Sequence, residues 1–345
     1  MSETSITGHA TRKAEHLSIC ISEEVEPVPG DAGFGSYRFV HEAIPEIDFD
    51  SVDTACVLFG RPLRSPFLIS SMTGGTNEAR EINMVLARSA ETMGVAMGVG
   101  SQRVAILDPE KAATFQVRDA APNIFLFANL GAIQLNNGFT VDECRKAVDM
   151  IGADALMLHL NSLQEVVQAG GNTNFAGLVD RIHEVCIHMQ VPVVVKEVGQ
   201  GISERAARML RDAGVAGIDT AGAGGTSWPL VESLRVQNGR SDMGAAFADW
   251  GIRTPESIVM SRRGAPDLVV MASGGLRSGI DAAKALALGA DFVGFALPLL
   301  REAVRGVEAV CRTLERYREE LRITMFCTGA KNLDDLKHRS ELVRI

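Results

Sequence analysis

Short apolar runs recur along the chain, and each is followed by a turn rich in glycine or polar residues and then by a stretch of helical period. Eight such runs stand at residues 66–72, 94–100, 123–129, 154–160, 191–197, 215–221, 267–273 and 290–296. Because they are continuous rather than alternating, they are typical of strands buried on both faces of a parallel sheet. Eight βα units in series predict a single (β/α)₈ TIM barrel, and a doubly wound sheet of parallel strands is the alternative.

The helical stretches carry boundary signals of their own. We predict helices at residues 81–93, 203–214 and 278–290, and the last two begin with serines that can cap them, Ser203 and Ser278, and end at or beside a glycine. The stretch at residues 301–322 mixes both signs of charge, with Glu308 four residues before Arg312. This spacing predicts a helix face exposed to solvent.

Two regions depart from the repeat. We predict an N-terminal extension at residues 1–60, followed by a barrel domain at residues 61–345. The link at residues 221–265 is far longer than an ordinary βα crossover. Loops of this length at the carboxyl ends of barrel strands are usually lids or subunit contacts.

Composition narrows the class of function. With 46% hydrophobic and 22% charged residues, the 345-residue chain can bury a large core, which excludes a wholly disordered protein. Its net charge of −9 argues against nucleic acid or a membrane surface as a partner, but it allows a local pocket for a small anion. The chain has no apolar run of membrane-spanning length and no signal peptide, and its six cysteines are scattered, so we expect a cytoplasmic protein with reduced thiols.

Glycine and polar residues follow most of the apolar runs, which is where a barrel builds its active site. After the seventh run, Gly274 and Gly275 lead into the helix that begins near Ser278, and Gly294 lies in the eighth run. Free backbone N–H groups and a helix N-terminus at these places favour a bound phosphate. The alternative is that the glycines serve only tight turns.

Lys196 ends an otherwise apolar run, so its ammonium needs a partner. We favour a bound anionic or electron-rich group, and the alternative is a structural ion pair with a carboxylate. Strand alternation directs the neighbouring Glu197 away from the barrel centre.

The end of the fourth run carries a polar cluster. His159 and Asn161 share a strand face, and Gln164 and Glu165 follow in the turn. The first three can donate to phosphate oxygens, and a lone carboxylate suits Mg²⁺ bound together with substrate phosphate. A capping asparagine beside a solvated Gln-Glu pair is equally compatible with the sequence.

One tempting metal motif fails on spacing. His183, Glu184 and His188 resemble the zinc-protease pattern, but the second histidine comes five residues after the first and lies on another helix face. A zinc protease is therefore not expected.

Several ordered motifs carry a resemblance to a known family. They are Arg12-Lys13-x-Glu15-His16, Met72-Thr73-Gly74-Gly75, Gly100-Ser101-Gln102-Arg103, His159-Leu160-Asn161 with Gln164-Glu165, Lys196-Glu197-Val198-Gly199, Gly224-Gly225-Thr226-Ser227-Trp228 and Gly274-Gly275-Leu276-Arg277. On these motifs the chain resembles the type 2 isopentenyl-diphosphate isomerases, flavoproteins of the FMN-dependent barrel type. The resemblance implies a 1,3 proton shift between isopentenyl and dimethylallyl diphosphate, with reduced FMN, Mg²⁺ and NADPH as reductant.

The resemblance also implies residue roles. The residues implied to contact FMN are Ser71, Met72, Thr73, Ser101, Asn129, Lys196 and Thr226, with Gly275, Leu276, Arg277, Ala296 and Leu297 at its phosphate. The residues implied to bind the diphosphate substrate are Arg12, Lys13, Ser101, Gln102, Arg103, His159, Asn161 and Gln164. Glu165 is implied to hold Mg²⁺, and Gln164 to lie beside the allylic carbon while the flavin moves the proton. A homo-oligomer, tetramer or octamer, is implied as well, in which Arg12 and Lys13 can reach a neighbouring subunit.

The sequence departs from the family at two places in one loop. Ser162 stands where the family commonly has proline, and Ala169-Gly170-Gly171 replaces a Pro-Glu-Gly stretch. The implied ligands are retained, so the departures bear on loop stiffness and substrate position.

Three rival functions are each opposed by a feature of the sequence. An FMN-dependent 2-hydroxy-acid oxidase needs a histidine base after the sixth run, and residues 221–228 contain none. An enzyme similar to IMP dehydrogenase needs a cysteine in the same loop, which also has none. A flavin-binding regulator without turnover is opposed by the intact Gln164 and Glu165.

Overall fold

Each of the eight predicted runs contains a strand in the computed structural model, which describes residues 3–27, 32–235, 241–338 and 340–345. The described strands are β1 (Tyr37–Phe39), β2 (Cys56–Leu58), β3 (Arg61–Leu63), β4 (Phe67–Ile69), β5 (Ala96–Gly98), β6 (Leu126–Gly131), β7 (Ala155–His159), β8 (Val193–Lys196), β9 (Gly217–Asp219), β10 (Val269–Ala272), β11 (Phe292–Phe295) and β12 (Leu342–Arg344). Strands β4 to β11 close into a parallel barrel in chain order, because β11 pairs with β4. The predicted barrel is confirmed, and the doubly wound alternative is wrong.

Helices surround the barrel and also cover its carboxyl end. The described helices are α1 (Glu3–Ser22), α2 (Asn77–Met93), α3 (Arg103–Leu107), α4 (Val141–Ile151), α5 (Ser162–Val167), α6 (Leu178–His188), α7 (Glu204–Asp212), α8 (Trp228–Arg235), α9 (Ser241–Ala246), α10 (Thr254–Gly264), α11 (Gly279–Ala287), α12 (Leu297–Ala303), α13 (Val307–Cys327) and α14 (Leu333–His338). Short 3₁₀ helices occupy Phe34–Ser36, Phe49–Ser51, Pro109–Thr114 and Ala132–Asn137.

The predicted helix boundaries follow from the capping residues. The hydroxyl of Ser203 accepts from the backbone N–H of Ala206, and that of Ser278 accepts from Asp281, so both predicted caps are confirmed. The stretch predicted as one solvated helix consists of α12 and α13, which Gly306 separates. The exposed side chains of Glu308 and Arg312 pair at 3.7 Å on α13, as their spacing predicts.

Two buried layers hold the barrel together. Inside the barrel, apolar side chains from alternate strand positions fill the lumen, among them Leu68, Phe127, Met157 and Met271. A larger cluster fills the space between the strands and the surrounding helices. The hairpin of β2 and β3 adds Leu58 and Leu63 to the inner cluster.

The extension and the chain end lie against the barrel. β1 pairs antiparallel with β12, so residues 37–39 and 342–344 form a small sheet of their own. The predicted boundary at residue 60 falls within the hairpin between β2 and β3, and the division into two domains stays a prediction. The six cysteines all lie in described ranges and are free thiols. Within the described residues, no helix has the length and apolar character needed to cross a membrane.

Candidate active site

One cavity opens at the carboxyl ends of the barrel strands, between them and α1. It is lined by the predicted FMN contacts Ser71, Met72, Thr73, Ser101, Asn129, Lys196, Thr226, Gly275, Leu276, Arg277, Ala296 and Leu297. It is also lined by the predicted substrate and metal residues Arg12, Lys13, Arg103, His159, Asn161, Gln164 and Glu165. Residues that are distant in sequence are thus brought to one place.

Gln102 is the exception, and its predicted contact with substrate is corrected. Its side chain is fully buried away from the cavity, and Nε2 donates to the carbonyl oxygen of Ala147 at 2.7 Å. Its Oε1 accepts from the backbone N–H of Asn129 at 2.9 Å. Gln102 therefore fixes the backbone beside Asn129, and both polar ends of its amide are already satisfied.

The glycine turns after β9 and β10 interlock at one side of the cavity. A Cβ at Gly275 would lie 2.3 Å from the carbonyl oxygen of Gly224, and a Cβ at Gly225 would lie 2.5 Å from the backbone nitrogen of Gly275. Such approaches exclude any side chain at these places, and Gly275 has a φ of +74°. The close approach makes a narrow concave turn of backbone that suits a phosphate.

Arg277 follows this turn and has a protein partner. Its guanidinium forms an ion pair with the buried Glu26, and it also donates to the carbonyl oxygen of Leu276 at 2.8 Å. Burial lowers the pKa of Arg277. The extension therefore contributes a carboxylate beside the predicted phosphate site, which the sequence motifs did not indicate.

Lys196 lines the cavity, and it also forms the structural ion pair with a carboxylate that is the alternative interpretation, while its contact with a bound group stays a prediction. Nζ donates to the carbonyl oxygen of Glu197 at 2.5 Å and lies 3.6 Å from Oδ2 of Asp219. As alternation predicts, Glu197 is directed away from the cavity, where its carboxylate accepts three backbone N–H groups at residues 198–200. Burial raises the pKa of Glu197 to about 7, against the effect of these donors.

His159, at the end of β7, contacts Asn129 within β6. The imidazole Nδ1 lies 2.9 Å from Oδ1 of Asn129. Burial, followed by the nearby charges of Lys196 and Lys13, lowers the pKa of His159 to about 3. His159 is therefore neutral at ordinary pH and contributes hydrogen bonds rather than charge.

Glu165 is buried at the start of α5 among neutral amide donors. One carboxylate oxygen accepts from Nδ2 of Asn161 at 2.9 Å, and the other accepts from Nε2 of Gln168 at 2.8 Å and from the backbone N–H of Asn172 at 2.6 Å. The Oδ1 of Asn161 is buried without a hydrogen-bond partner. The cluster thus holds one negative charge and at least one unused oxygen ligand.

Helix α1 brings two cations over the cavity. Lys13 donates from Nζ to the carbonyl oxygen of Ser101 at 2.7 Å, and its ammonium lies 5.1 Å from the centre of the Phe115 ring. Burial, followed by the neighbouring guanidinium groups of Arg12 and Arg103, lowers the pKa of Lys13 to about 7. Burial also lowers the pKa values of both arginines. An anion bound beside Arg12, Lys13 and Arg103 would favour the charged form of all three side chains.

The same helix contributes residues that the motif analysis did not assign. His16, Leu17 and Cys20 line the cavity beside Lys13. Their spacing of three, four and seven residues from Lys13 is that of one helix face, so this signal was present in the sequence. In this structure α1 lies over the barrel of its own chain, and a contact of Arg12 and Lys13 with a neighbouring subunit stays a prediction.

Comparisons with known proteins identify the family. The chain is 49% identical to an isopentenyl-diphosphate delta-isomerase from a Nostoc species over 97% of its length and 96% of that protein. It is 48% identical to the protein of the same name from Xanthobacter autotrophicus, over 96% of this chain and 97% of that one. The chain belongs to the isopentenyl-diphosphate delta-isomerase family. The sequence profile described as FMN-dependent dehydrogenase also matches residues 132–343.

Solved structures support the fold of this isomerase-family chain. A lactate oxidase from Pediococcus acidilactici superposes with a TM-score of 0.67 over 99% of this chain and 94% of that one, at 20% identity. A mandelate oxidase variant with a monooxide FMN adduct gives a TM-score of 0.65 over 99% of this chain and 100% of that one, also at 20% identity. At this identity the likeness shows that the barrel is shared, and it says nothing about the reaction.

The residues present fit FMN, the cofactor of the family. The interlocked glycine turns line the cavity with backbone that no Cβ shields, because a Cβ at Gly225 or Gly275 would collide with the facing turn. The hydroxyl of Ser70 lines the same cavity, is buried and has no hydrogen-bond partner in the described protein. Such orphaned buried groups are rare and often mark a ligand site.

Proposed function

We propose that this protein interconverts isopentenyl diphosphate and dimethylallyl diphosphate by a 1,3 proton shift, using reduced FMN and Mg²⁺, with NADPH as the reductant. The observation that carries the proposal is that two groups of residues suited to anions line one cavity. Glycine turns and Arg277 form one, and Arg12, Lys13 and Arg103 form the other. A phosphorylated cofactor and a diphosphate substrate together need such a pair.

For the cofactor, the first region would take the FMN phosphate. Gly275, Leu276 and Arg277 would hold it from one side, and Ala296 and Leu297 from the other. The remaining contacts are proposed for Ser71, Met72, Thr73, Ser101, Asn129, Lys196 and Thr226. Reduced FMN supplies an N5 atom that can both give and take a proton.

For the substrate, the second region would take the diphosphate. Arg12, Lys13 and Arg103 offer positive charge from α1 and α3. Ser101, His159 and Asn161 are proposed as further hydrogen-bonding groups in the same cavity. Burial, followed by repulsion from Arg12 and Arg103, holds the Lys13 pKa at about 7, and an anionic ligand here would favour the charged form of Lys13.

Glu165 is proposed to bind Mg²⁺ together with the substrate phosphates. Within the described residues, no group of three or more His, Cys, Asp and Glu side chains could hold a metal. A single carboxylate with oxygen neighbours nevertheless matches the way Mg²⁺ binds when phosphate oxygens and water complete its octahedron. The unpartnered Oδ1 of Asn161 is the second oxygen available there.

Gln164 is proposed to position the allylic carbon of the substrate. It lines the cavity between Asn161 and Glu165, and its Oε1 accepts from Nδ2 of Asn161 at a long 3.3 Å. A neutral amide is a poor base, so its part is orientation rather than proton removal. Helix α1 would exclude water from the reacting carbons while substrate is bound.

The oxidase alternative is not favoured by any contact. Residues 221–228 follow β9 and are all described, and none is a histidine that could remove a proton from a hydroxy acid. His159 lies on β7 instead, and its pKa near 3 makes it a hydrogen-bonding group.

The direct test is an isomerisation assay without oxygen. Purified protein, isopentenyl diphosphate, FMN, Mg²⁺ and NADPH should yield dimethylallyl diphosphate by NMR, and omission of FMN should abolish the product. Dithionite in place of NADPH tests whether the reaction needs NADPH itself or only reduced FMN. A protein that retains FMN but gives no product under either reductant would refute the proposed reaction and leave the cofactor site standing.

Three further expectations accompany the proposal. A homo-oligomer, a cytoplasmic location and the role of NADPH as reductant rest on the sequence and the family resemblance, and they stay predictions. The loop departures at Ser162 and residues 169–171 leave the amide donors around Glu165 in place.

A further inference from the structure

A buried carboxylate lies beside Lys196 and outside the cavity lining. Asp219 ends β9, is fully buried and is absent from the cavity lining. Its Oδ2 is 3.6 Å from Nζ of Lys196 and has no hydrogen-bond partner, while its Oδ1 accepts from the hydroxyl of Ser273 at 2.6 Å. A chain therefore runs from Ser273 through Asp219 to Lys196, across three neighbouring strands.

The strand register makes this arrangement fixed rather than incidental. Lys196 and Asp219 are directly paired positions of β8 and β9, and Lys196 is paired with His159 of β7 on its other side. The side chains thus leave the same layer of the barrel, toward its carboxyl end. Ser273 follows β10, and its hydroxyl donates to Oδ1 of Asp219.

Among the groups around Lys196, Asp219 supplies the negative charge. His159 is neutral, because its pKa is about 3. The carboxylate of Glu197 is turned to the backbone N–H groups at residues 198–200, and only its carbonyl oxygen meets Nζ. Within the described residues, the pair with Asp219 is the one salt bridge that Lys196 makes.

We propose that Asp219 is a positioning residue, which keeps the Lys196 ammonium charged and directed at the bound flavin. A buried ammonium without a counter-ion loses its proton more readily, whereas a carboxylate within 4 Å favours the charged form. The separation of 3.6 Å leaves the ammonium free to share its donors with a ligand. Ser273 keeps the carboxylate aimed at Lys196 instead of at the cavity.

The inference rests on the proposed position of Lys196 beside the flavin, and it is independent of the isomerisation. The test therefore measures flavin binding and the flavin midpoint potential on the full-length protein reloaded with FMN. The variants are Asp219→Asn, Lys196→Met and the double variant. Thr220→Val is the matched control, because it replaces a buried hydroxyl at the next position and touches neither charge.

As pH rises, Asp219→Asn is expected to lose FMN affinity by about tenfold relative to the wild type, because a buried ammonium without its counter-ion gives up its proton more readily. The flavin midpoint potential of Asp219→Asn should show a step over the same pH range, which the wild type lacks. The double variant and Lys196→Met should show no step, and Thr220→Val should follow the wild type. A merely structural role of Asp219 would lower affinity equally at every pH.

Several outcomes would overturn the inference. A pH-independent loss in Asp219→Asn, or a step that persists in the double variant, would remove Lys196 from the explanation. If Lys196→Met binds FMN with wild-type affinity and potential, the proposed position of Lys196 is wrong instead. Should Asp219→Asn fail to fold, the double variant decides: it should fold, since no unpaired charge is left, and its failure would contradict the pairing.

Discussion

The imidazole Nε2 of His16 lies 2.9 Å from Oε1 of Glu232, and this contact joins α1 to α8 beside the cavity. The same imidazole meets the edge of the Trp228 ring, with the ring centres 5.2 Å apart. Arg235 extends the contact by pairing with Glu232 at 2.9 Å and with Glu15 at 3.3 Å. The two regions that depart from the βα repeat, the extension and the long link, thus meet and hold the helix that carries Arg12 and Lys13.

Glu232→Ala should loosen α1 without touching the cofactor region. The loss of a buried hydrogen-bonded carboxylate costs about 1–3 kcal/mol, so the KM for isopentenyl diphosphate should rise about tenfold while FMN affinity stays constant. Limited proteolysis within the first twenty-two residues, the end of α1, should become faster as well. Glu184→Ala on the exposed face of α6 is the control. Equal KM and equal proteolysis in the two variants would show that this contact does not hold the helix.

The barrel could be predicted from the sequence because its signal is local. Continuous apolar runs at regular intervals specify strands buried on both faces, and a serine before a helical stretch specifies where the helix begins. The caps at Ser203 and Ser278 followed from this reasoning alone. Closure of the barrel depends on the pairing of β11 with β4. The number of βα units implies this pairing, but no local pattern in either segment indicates it.

The candidate site was harder to predict where the direction of a side chain decides whether that side chain lines the cavity. Gln102 stands between Ser101 and Arg103, which both line the cavity, yet its own side chain is turned toward α4. A motif gives the order of residues but not the turn that begins α3 at this point. Asp219 was missed for a related reason: its partner Lys196 is on another strand, and only the register brings the two together.

Binding of the diphosphate substrate should take up protons above about pH 7. In the free protein, burial and two guanidinium groups lower the pKa of Lys13 to about 7, so a growing fraction is neutral at higher pH. A bound anion favours the charged form, so affinity should fall as pH rises through that value. Titration calorimetry in buffers of different ionisation enthalpy measures the uptake. Lys13→Arg is the control, because a guanidinium stays charged and should remove this uptake.

His159 should remain neutral over the range in which histidines usually titrate. Its pKa of about 3 means that its imidazole resonances in the ligand-free protein should not shift between about pH 5 and pH 8. In the unfolded chain His159 would gain a proton below about pH 6.5, so it lowers stability as the solution is acidified. A normal titration of His159 would contradict its burial beside Lys196.

Glu165→Gln should shift the dependence of turnover on Mg²⁺ while FMN still binds. The substitution removes the one negative charge of the cluster and keeps an amide of similar size among Asn161, Gln168 and the backbone N–H of Asn172. The Mg²⁺ concentration for half-maximal rate should therefore rise by about tenfold or more. Glu204→Gln, on the exposed side of α7, should behave like the wild type. An unchanged rate at limiting Mg²⁺ would exclude Glu165 as the metal ligand.

Gly275→Ala should abolish FMN retention, and Gly138→Ala tells whether backbone strain alone explains the loss. Both glycines have positive φ, +74° and +92°, so alanine at either place costs about 1–2 kcal/mol. They differ in their surroundings: a Cβ at Gly138 meets nothing within 4 Å, whereas at Gly275 it would lie 2.3 Å from the Gly224 oxygen and 2.6 Å from the Cβ of Ala32. The Gly275 variant must therefore move the turn that is proposed to hold phosphate. Gel filtration followed by the flavin absorbance of the protein peak measures the outcome, and equal FMN occupancy in the two variants would refute a phosphate site at this turn.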